Sequence, residues 1–212
     1  MIEQKLTVGS FIDIGDIAAL APGTPPAEIS QGTEARVILR SKHRGWHHMG
    51  AKQRTVVAGE HATKERRNFI WLPYAVNQIN YATPQGRDVL SGVFTGCWMI
   101  RYNSGGAIRV AHVSTPNAAA AWNALAGQAT VQPLQGFKPS DFLDAPGAAA
   151  QDGDSGLEMF GLITGTGSLF TIGLQRRKEE AATMRRVAFV ATAKSKTADE
   201  LRALPTGGAD MT

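Results

Sequence analysis

The sequence contains almost no cysteine: Cys97 is the only one among 212 residues. A single cysteine excludes an intramolecular disulfide framework and a cysteine-rich zinc site, so the fold does not depend on an oxidising compartment. Stability must come from the packing of apolar side chains, and 43% of the residues are hydrophobic. The length and the even composition predict one domain over residues 1–212, with a flexible tail at about 205–212.

Long hydrophobic runs are also missing. The first twenty residues contain Glu3, Asp13 and Asp16, and such charges are wrong for the core of a signal peptide or for a membrane span. No other apolar run reaches spanning length. We therefore expect a protein that is made in soluble form, without a cleavable signal peptide and without a membrane partner.

Motifs for nucleotide binding and for serine nucleophiles are missing as well. No Gly-x-Gly-x-x-Gly or phosphate-loop lysine motif is present, and the glycine-rich segment 161–167 lies between predicted strands. Segment 152–156 (DGDSG) is similar to the nucleophile segment of chymotrypsin-like proteases but lacks the rest of that pattern, so we predict a turn there. No cofactor is expected, and nucleic acid is not the expected partner.

Positive charge is in excess, with a formal net charge of +4, and basic residues cluster in segments 36–54 and 176–186. These clusters fit either solvated strand edges or a surface that binds an acidic partner. His43, His47 and His48 lie in the first segment. Adjacent histidines on a strand point to opposite faces, and the neighbouring Arg44 repels a cation, so no metal site is predicted.

The pattern of apolar residues predicts many short strands and few helices. Alternation and β-branched runs indicate strands at 34–42, 53–58, 68–74, 94–100, 107–113, 157–164, 168–175 and 184–193. Helices are predicted at 117–127, 139–143 and 197–204, the first with Thr115 as N-cap and Gly127 at its end. Segment 128–156 is otherwise expected to be a long surface excursion. The expected fold class is α+β: a single-domain β-sandwich of mixed and antiparallel strands with a few flanking helices.

Cys97 and His112 are the leading candidates for chemistry. Each lies on a predicted strand, and the glycine-containing turn 102–106 joins the two strands into an antiparallel hairpin. Such a hairpin can hold a thiol near an imidazole that takes its proton, which yields a thiolate at neutral pH. Gly96 allows backbone N–H groups to approach a substrate carbonyl, as an oxyanion site requires. The alternative is that Cys97 fills the core as a small apolar residue.

The string Thr95-Gly96-Cys97 at the start of a strand, followed by a glycine-containing hairpin and a strand that ends in His112, resembles the cytotoxic-necrotizing-factor-like cysteine deamidase superfamily. Members of that superfamily, which include the bacterial chemoreceptor deamidases, place a thiol and a histidine on neighbouring strands of a β-sandwich. The usual serine of that string is replaced here by Thr95.

Three further segments, 71–74 (WLPY), 112–122 (HVSTPNAAAAW) and 161–165 (GLITG), are similar to segments of the Burkholderia lethal factor-like glutamine deamidase toxins. This resemblance implies a deamidase-toxin-like fold. It also implies that a hydroxyl six positions before the cysteine orients the histidine, and that position is Ser91 here. The expected catalytic residues are thus Cys97, His112 and Ser91, with an oxyanion site at the backbone of Gly96 and Thr95. The alternative for Ser91 is an ordinary turn residue beside Gly92.

The resemblance implies a cysteine-dependent protein glutamine deamidase, a hydrolase that needs no cofactor. It would be a monomeric bacterial toxin or effector that is made in the bacterial cytoplasm, is delivered to the host cytosol, and acts on a host protein such as a translation factor. Three alternatives stay open: a non-enzymatic basic β-sandwich that binds a partner, a bacterial chemoreceptor glutamine deamidase, and a transglutaminase that uses the same thioester.

Overall fold

The fold is known from a computed structural model, which describes residues 6, 8–9, 11–13, 28–30, 33–38, 55–57, 68–142, 154–177 and 184–206. The strands before residue 58 are described by their backbone only. The histidine cluster, Arg44 and residues 207–212 of the predicted tail lie outside the described residues.

The described residues form thirteen strands, two α-helices and one short 3-10 helix. The strands are β1 (Phe11–Asp13), β2 (Glu28–Ser30), β3 (Thr33–Ile38), β4 (Thr55–Val57), β5 (Asn68–Pro73), β6 (Ile79–Ala82), β7 (Val89–Gly92), β8 (Trp98–Ser104), β9 (Ala107–Val113), β10 (Val131–Phe137), β11 (Asp154–Ile163), β12 (Leu169–Arg177) and β13 (Met184–Thr192). The helices are α1 (Ala119–Ala126) and α2 (Ala198–Arg202), and the 3-10 helix is Pro139–Phe142.

The strands form two sheets. One sheet closes into a barrel in the order β1-β13-β12-β11-β7-β5-β3-β4, and the second has five strands in the order β10-β8-β9-β6-β2. The β8–β9 hairpin lies at the centre of the second sheet, and its turn uses Gly105 and Gly106, which both have positive φ. The sequence prediction of a β-rich α+β fold is therefore confirmed, and the closed barrel is an addition to it.

Three apolar clusters show that the molecule is layered. Alternate residues of the barrel strands face opposite ways, so one cluster fills the barrel interior and another lies between the barrel and the second sheet. The third cluster lies between the second sheet and the two α-helices. In this third layer, Trp122 Nε1 donates to the Leu201 carbonyl at 2.5 Å. The second sheet is thus covered on both faces.

Several elements differ from the sequence predictions. Strands β6 and β10 lie in segments expected to be loops, and the glycine- and alanine-rich excursion therefore begins with a strand. Residues 154–156, expected in a turn, belong to β11, where the register shifts and Gly156 has a φ of +65°. Among the described residues no helix is long and apolar enough to cross a membrane.

Candidate active site

Ser91 and His112 form the contact at the centre of the candidate site. Ser91 lies in β7 of the barrel and His112 in β9 of the second sheet, and both are fully buried. Ser91 Oγ lies 2.8 Å from His112 Nδ1. Because the two residues come from different sheets, this hydrogen bond joins the barrel to the second sheet.

The position of one proton fixes the tautomer of His112. Ser91 Oγ donates its only proton to the Leu72 carbonyl at 2.6 Å, so it can only accept a hydrogen bond from His112 Nδ1. Nδ1 therefore carries the ring proton, and Nε2 of the neutral ring has a free lone pair. This Nε2 is buried and has no hydrogen-bond partner among the described residues. The imidazole is oriented with one basic nitrogen unused.

Aromatic rings enclose the imidazole. The Phe94 ring stacks on the His112 ring with centroids 4.0 Å apart and planes at 9°, and the Tyr74 ring lies 5.1 Å away at 49°. Burial among these rings lowers the pKa of His112 to about 3, because a low-dielectric environment penalises the charged imidazolium. His112 is therefore neutral at physiological pH.

Cys97 immediately precedes β8 and is 4% exposed. Met99 pairs with His112 in the β8–β9 register, and residues two apart on a strand share a face. Cys97 therefore lies on the same face of the sheet as His112, at the diagonal position. Diagonal neighbours on one face of an antiparallel pair lie roughly 7–8 Å apart, so the thiol and the imidazole occupy the same part of that face.

The thiol differs from the expectation of a thiolate at neutral pH. Burial raises the pKa of the Cys97 thiol, and its hydrogen bonds to the Thr115 backbone and the Ser114 side chain, together with the charge of Lys138, lower it by less. In the part of the chain that the structure describes, the His112 Nε2 makes no hydrogen bond to this sulfur. The resting site thus holds a neutral thiol and a neutral imidazole, because burial disfavours both charged forms.

The segment before Cys97 is shaped by Gly96 and Thr115. Gly96 has a φ of +148°, a conformation that side-chain-bearing residues rarely adopt. The Thr115 hydroxyl donates to the Gly96 carbonyl at 2.6 Å. The sequence predicts Thr115 as the cap of the following helix, but α1 begins at Ala119 with Ala118 at the cap position, so Thr115 lies too far before the helix to cap it. An oxyanion role for Gly96 and Thr95 stays a prediction.

A cleft of about 430 Å³ lies between the start of β8 and α2, and Cys97 is not among its described lining residues. Its lining includes Trp98, the residue after Cys97, and Lys138, whose charge acts on the thiol. The charged groups on its rim are of both signs, with Asp141 and Glu200 opposing Lys138 and Lys196. Trp98 belongs to the apolar cluster on the helix side of the second sheet and Cys97 to the cluster between the two sheets, so this cleft lies on the helix side and the thiol on the barrel side.

The basic cluster predicted in segment 176–186 has fewer exposed charges than the sequence indicated. Arg176 is exposed, as expected for a surface charge. Arg185 is instead buried and makes a two-pronged ion pair with Glu158, with N–O distances of 2.6 and 3.0 Å. Arg185 is thus a structural residue that stabilises the barrel, since β11 and β13 are separated by β12.

Sequence reasoning missed three residues that contact or act on the thiol: Ser114, Lys138 and, through Ser114, Tyr74. The hairpin register could have identified Ser114, because it follows the residue that pairs with Trp98 and so lies opposite Cys97. Across the described ranges no group of three or more potential metal ligands occurs.

The chain was compared with protein-family models, curated proteins and solved structures. None of them matches. The assignment of a function therefore depends on the chemistry of the site itself.

Proposed function

We propose that the protein is a cysteine-dependent protein glutamine deamidase, which converts a glutamine side chain of a partner protein to glutamate and releases ammonia. The observation that supports this most directly is the Ser91–His112 hydrogen bond at 2.8 Å. It leaves Nε2 unprotonated on the face that holds the only cysteine of the chain. A nucleophile, a base and a group that orients the base are the parts that acyl transfer requires.

The reaction follows from these parts. His112 Nε2 takes the proton of Cys97, and the thiolate attacks the carboxamide carbon of the glutamine. Backbone N–H groups of the segment 95–97 stabilise the tetrahedral oxyanion, and His112 returns the proton to the departing ammonia as the C–N bond breaks. Water, deprotonated by His112, then attacks the thioester carbonyl. The C–S bond breaks, so that glutamate and the free thiol are formed.

Activation accompanies substrate entry in this proposal. The resting thiol is neutral and makes no hydrogen bond to His112 Nε2, so proton transfer between them has to be promoted by the substrate. A polar substrate segment that reaches Cys97 brings hydrogen-bonding groups into a site that is otherwise apolar. These groups favour charge separation between sulfur and imidazole, because a more polar environment lowers the cost of both charges.

The nature of the target depends on the resemblance to the deamidase toxins. It supports a bacterial toxin or effector that acts as a monomer on a host protein such as a translation factor. Exposed basic residues such as Arg176 would favour an acidic surface around the target glutamine.

A specific observation favours a second function. Cys97 is buried, its pKa is raised, and it packs within the apolar cluster between the two sheets. These are properties of a cysteine that only fills a core. A non-enzymatic binding module would have them without any chemistry at the thiol.

The test is mass spectrometry of host-cell and bacterial lysates incubated with the protein or with Cys97→Ser. We expect glutamine-to-glutamate conversion at a small set of sites with the native protein and at none of them with Cys97→Ser. Conversion confined to bacterial receptor helices would identify a chemoreceptor deamidase, and amine incorporation a transglutaminase. Identical spectra for the two proteins in both lysates would refute the enzyme and support the binding module.

A further inference from the structure

A second hydroxyl lies near the thiol, on Ser114, two residues after His112. Trp98 and Val113 are the outermost pair of the β8–β9 ladder, so the next residues, Cys97 and Ser114, face each other. Ser114 is buried directly opposite Cys97, and its hydroxyl acts on the thiol as a hydrogen-bond donor that lowers the thiol pKa. The Ser114 Oγ lies 3.1 Å from the Tyr74 hydroxyl and 3.1 Å from the Asn77 backbone nitrogen.

The direction of these bonds is fixed once the sulfur is a thiolate. A thiolate can only accept, so Ser114 must donate its single proton to it. The Asn77 N–H always donates, and it occupies one lone pair of Ser114 Oγ. The remaining bond to Tyr74 must then run from the phenol to Ser114. Tyr74, Ser114 and Cys97 form a chain of donors that ends on the sulfur.

We propose that Ser114 is a further catalytic residue that stabilises the Cys97 thiolate, and that Tyr74 is a positioning residue that acts through it. The two hydroxyls of the site then have opposite tasks: Ser91 accepts from the imidazole, and Ser114 donates to the sulfur. The catalytic consequence rests on the proposed deamidase function. The hydrogen-bond chain itself does not, because it can be measured on the thiol without a substrate.

The test is the alkylation rate of Cys97 by a small reagent between about pH 6 and pH 9, where the rate reports the thiolate fraction. Ser114→Ala should slow alkylation at neutral pH roughly tenfold or more, since a hydrogen bond to a charged group is lost. Ser114→Thr should restore most of the rate. Removal of a hydroxyl also opens space around the sulfur, which would speed alkylation, so a slower reaction cannot come from access.

Tyr74→Phe removes the hydroxyl that donates to Ser114 and keeps the ring that packs on His112. It should slow alkylation about threefold. The matched control is Tyr81→Phe, because Tyr81 is also partly buried but its ring contacts Arg109 instead of the site. Unchanged rates in both Ser114→Ala and Tyr74→Phe, or an equal effect of Tyr81→Phe, would overturn the proposal.

The two proposals fail separately. Slower alkylation in the variants, with no glutamine conversion in any lysate, would retain the hydrogen-bond chain and reject the deamidase. Glutamine conversion that is abolished by Cys97→Ser but unaffected by Ser114→Ala, with unchanged alkylation, would retain the deamidase and reject the role of Ser114.

Discussion

Ser91 bonds both sheets with one oxygen: it donates to the Leu72 carbonyl of the barrel at 2.6 Å and accepts from His112 Nδ1 of the second sheet at 2.8 Å. The same atom thereby sets the tautomer of the imidazole and ties together the two layers that contain the site.

Replacement of Ser91 by alanine should affect both activity and stability. It leaves the Nδ1–H of His112 buried without an acceptor, so the free energy of unfolding should fall by about 1–3 kcal/mol. The ring is then free to take the other tautomer, so the proposed deamidation should slow on the order of 100-fold. Denaturant unfolding and turnover of a target glutamine measure the two effects.

A matched control is Thr171→Val, which also removes a buried hydroxyl. Thr171 is fully buried in β12, and its Oγ1 has no hydrogen-bond partner among the described residues. Replacement by the isosteric valine should leave stability unchanged or raise it slightly. If Thr171→Val were as destabilising as Ser91→Ala, the loss in Ser91→Ala could not be assigned to the imidazole.

Stability should depend on pH through His112. Its pKa is about 3 in the folded protein and about 6.5 in the unfolded chain, so the unfolded state binds the extra proton between these values. The free energy of unfolding should therefore fall as the pH falls below about 6.5, with a slope that approaches 1.4 kcal/mol per pH unit. Urea unfolding between about pH 7 and pH 5 measures this slope, before most carboxylates titrate.

His112→Gln provides the comparison for that measurement, because glutamine does not titrate. The variant should be less stable at pH 7 but should show a much flatter dependence over the same interval. Parallel curves for the two proteins would mean that another group causes the pH dependence.

The Glu158–Arg185 pair should contribute more than the surface ion pairs. Their side chains are only 29% and 10% exposed, and removal of one member leaves the other charge poorly solvated. Glu158→Ala should lower the free energy of unfolding by about 3 kcal/mol. The control is Asp199→Ala, which removes a pair between Asp199 and Arg202 where Asp199 is 95% exposed; it should cost less than about 0.5 kcal/mol. Equal losses would contradict the structural role of Arg185.

The turn after β11 should tolerate no side chain at Gly165. A Cβ there would overlap the carbonyl oxygen of Gly86, and the Gly165 N–H also donates to Asp88 at 2.9 Å, so the two loops are in tight contact. Gly165→Ala should lower the free energy of unfolding by about 3 kcal/mol. Gly86→Ala meets no atom within 4 Å but has a φ of +80°, so it should cost only about 1 kcal/mol. Thermal melting of the two variants tests this order.

Strands with strong alternation and a neighbour along the chain could be predicted from the sequence. The β8–β9 hairpin and the β11–β12–β13 meander are of this kind. Strand β10 could not, because it contains Pro133 and Gly136, which usually interrupt strands. The proline is tolerated because β10 is an edge of the second sheet, and a side chain at position 136 would collide with Leu201.

The residues of the site could be predicted from the sequence only in part, for a related reason. The positions of Cys97 and His112 follow from a local hairpin, which sequence patterns describe well. Ser91 meets His112 only because β7 closes into the barrel between β5 and β11, and no local pattern distinguishes such a residue from a turn serine. The burial that raises the thiol pKa likewise depends on both sheets, and residue spacing does not show it.

The hydrogen bond from Trp122 to Leu201 spans 79 positions of the chain. Contacts of such long sequence separation close a large loop of the chain, and the entropy cost of that closure has to be offset by the packing around them. Here the packing is that of α1 and α2 on the outer face of the second sheet. Two helices far apart in the sequence thus jointly cover the sheet that holds Cys97 and His112.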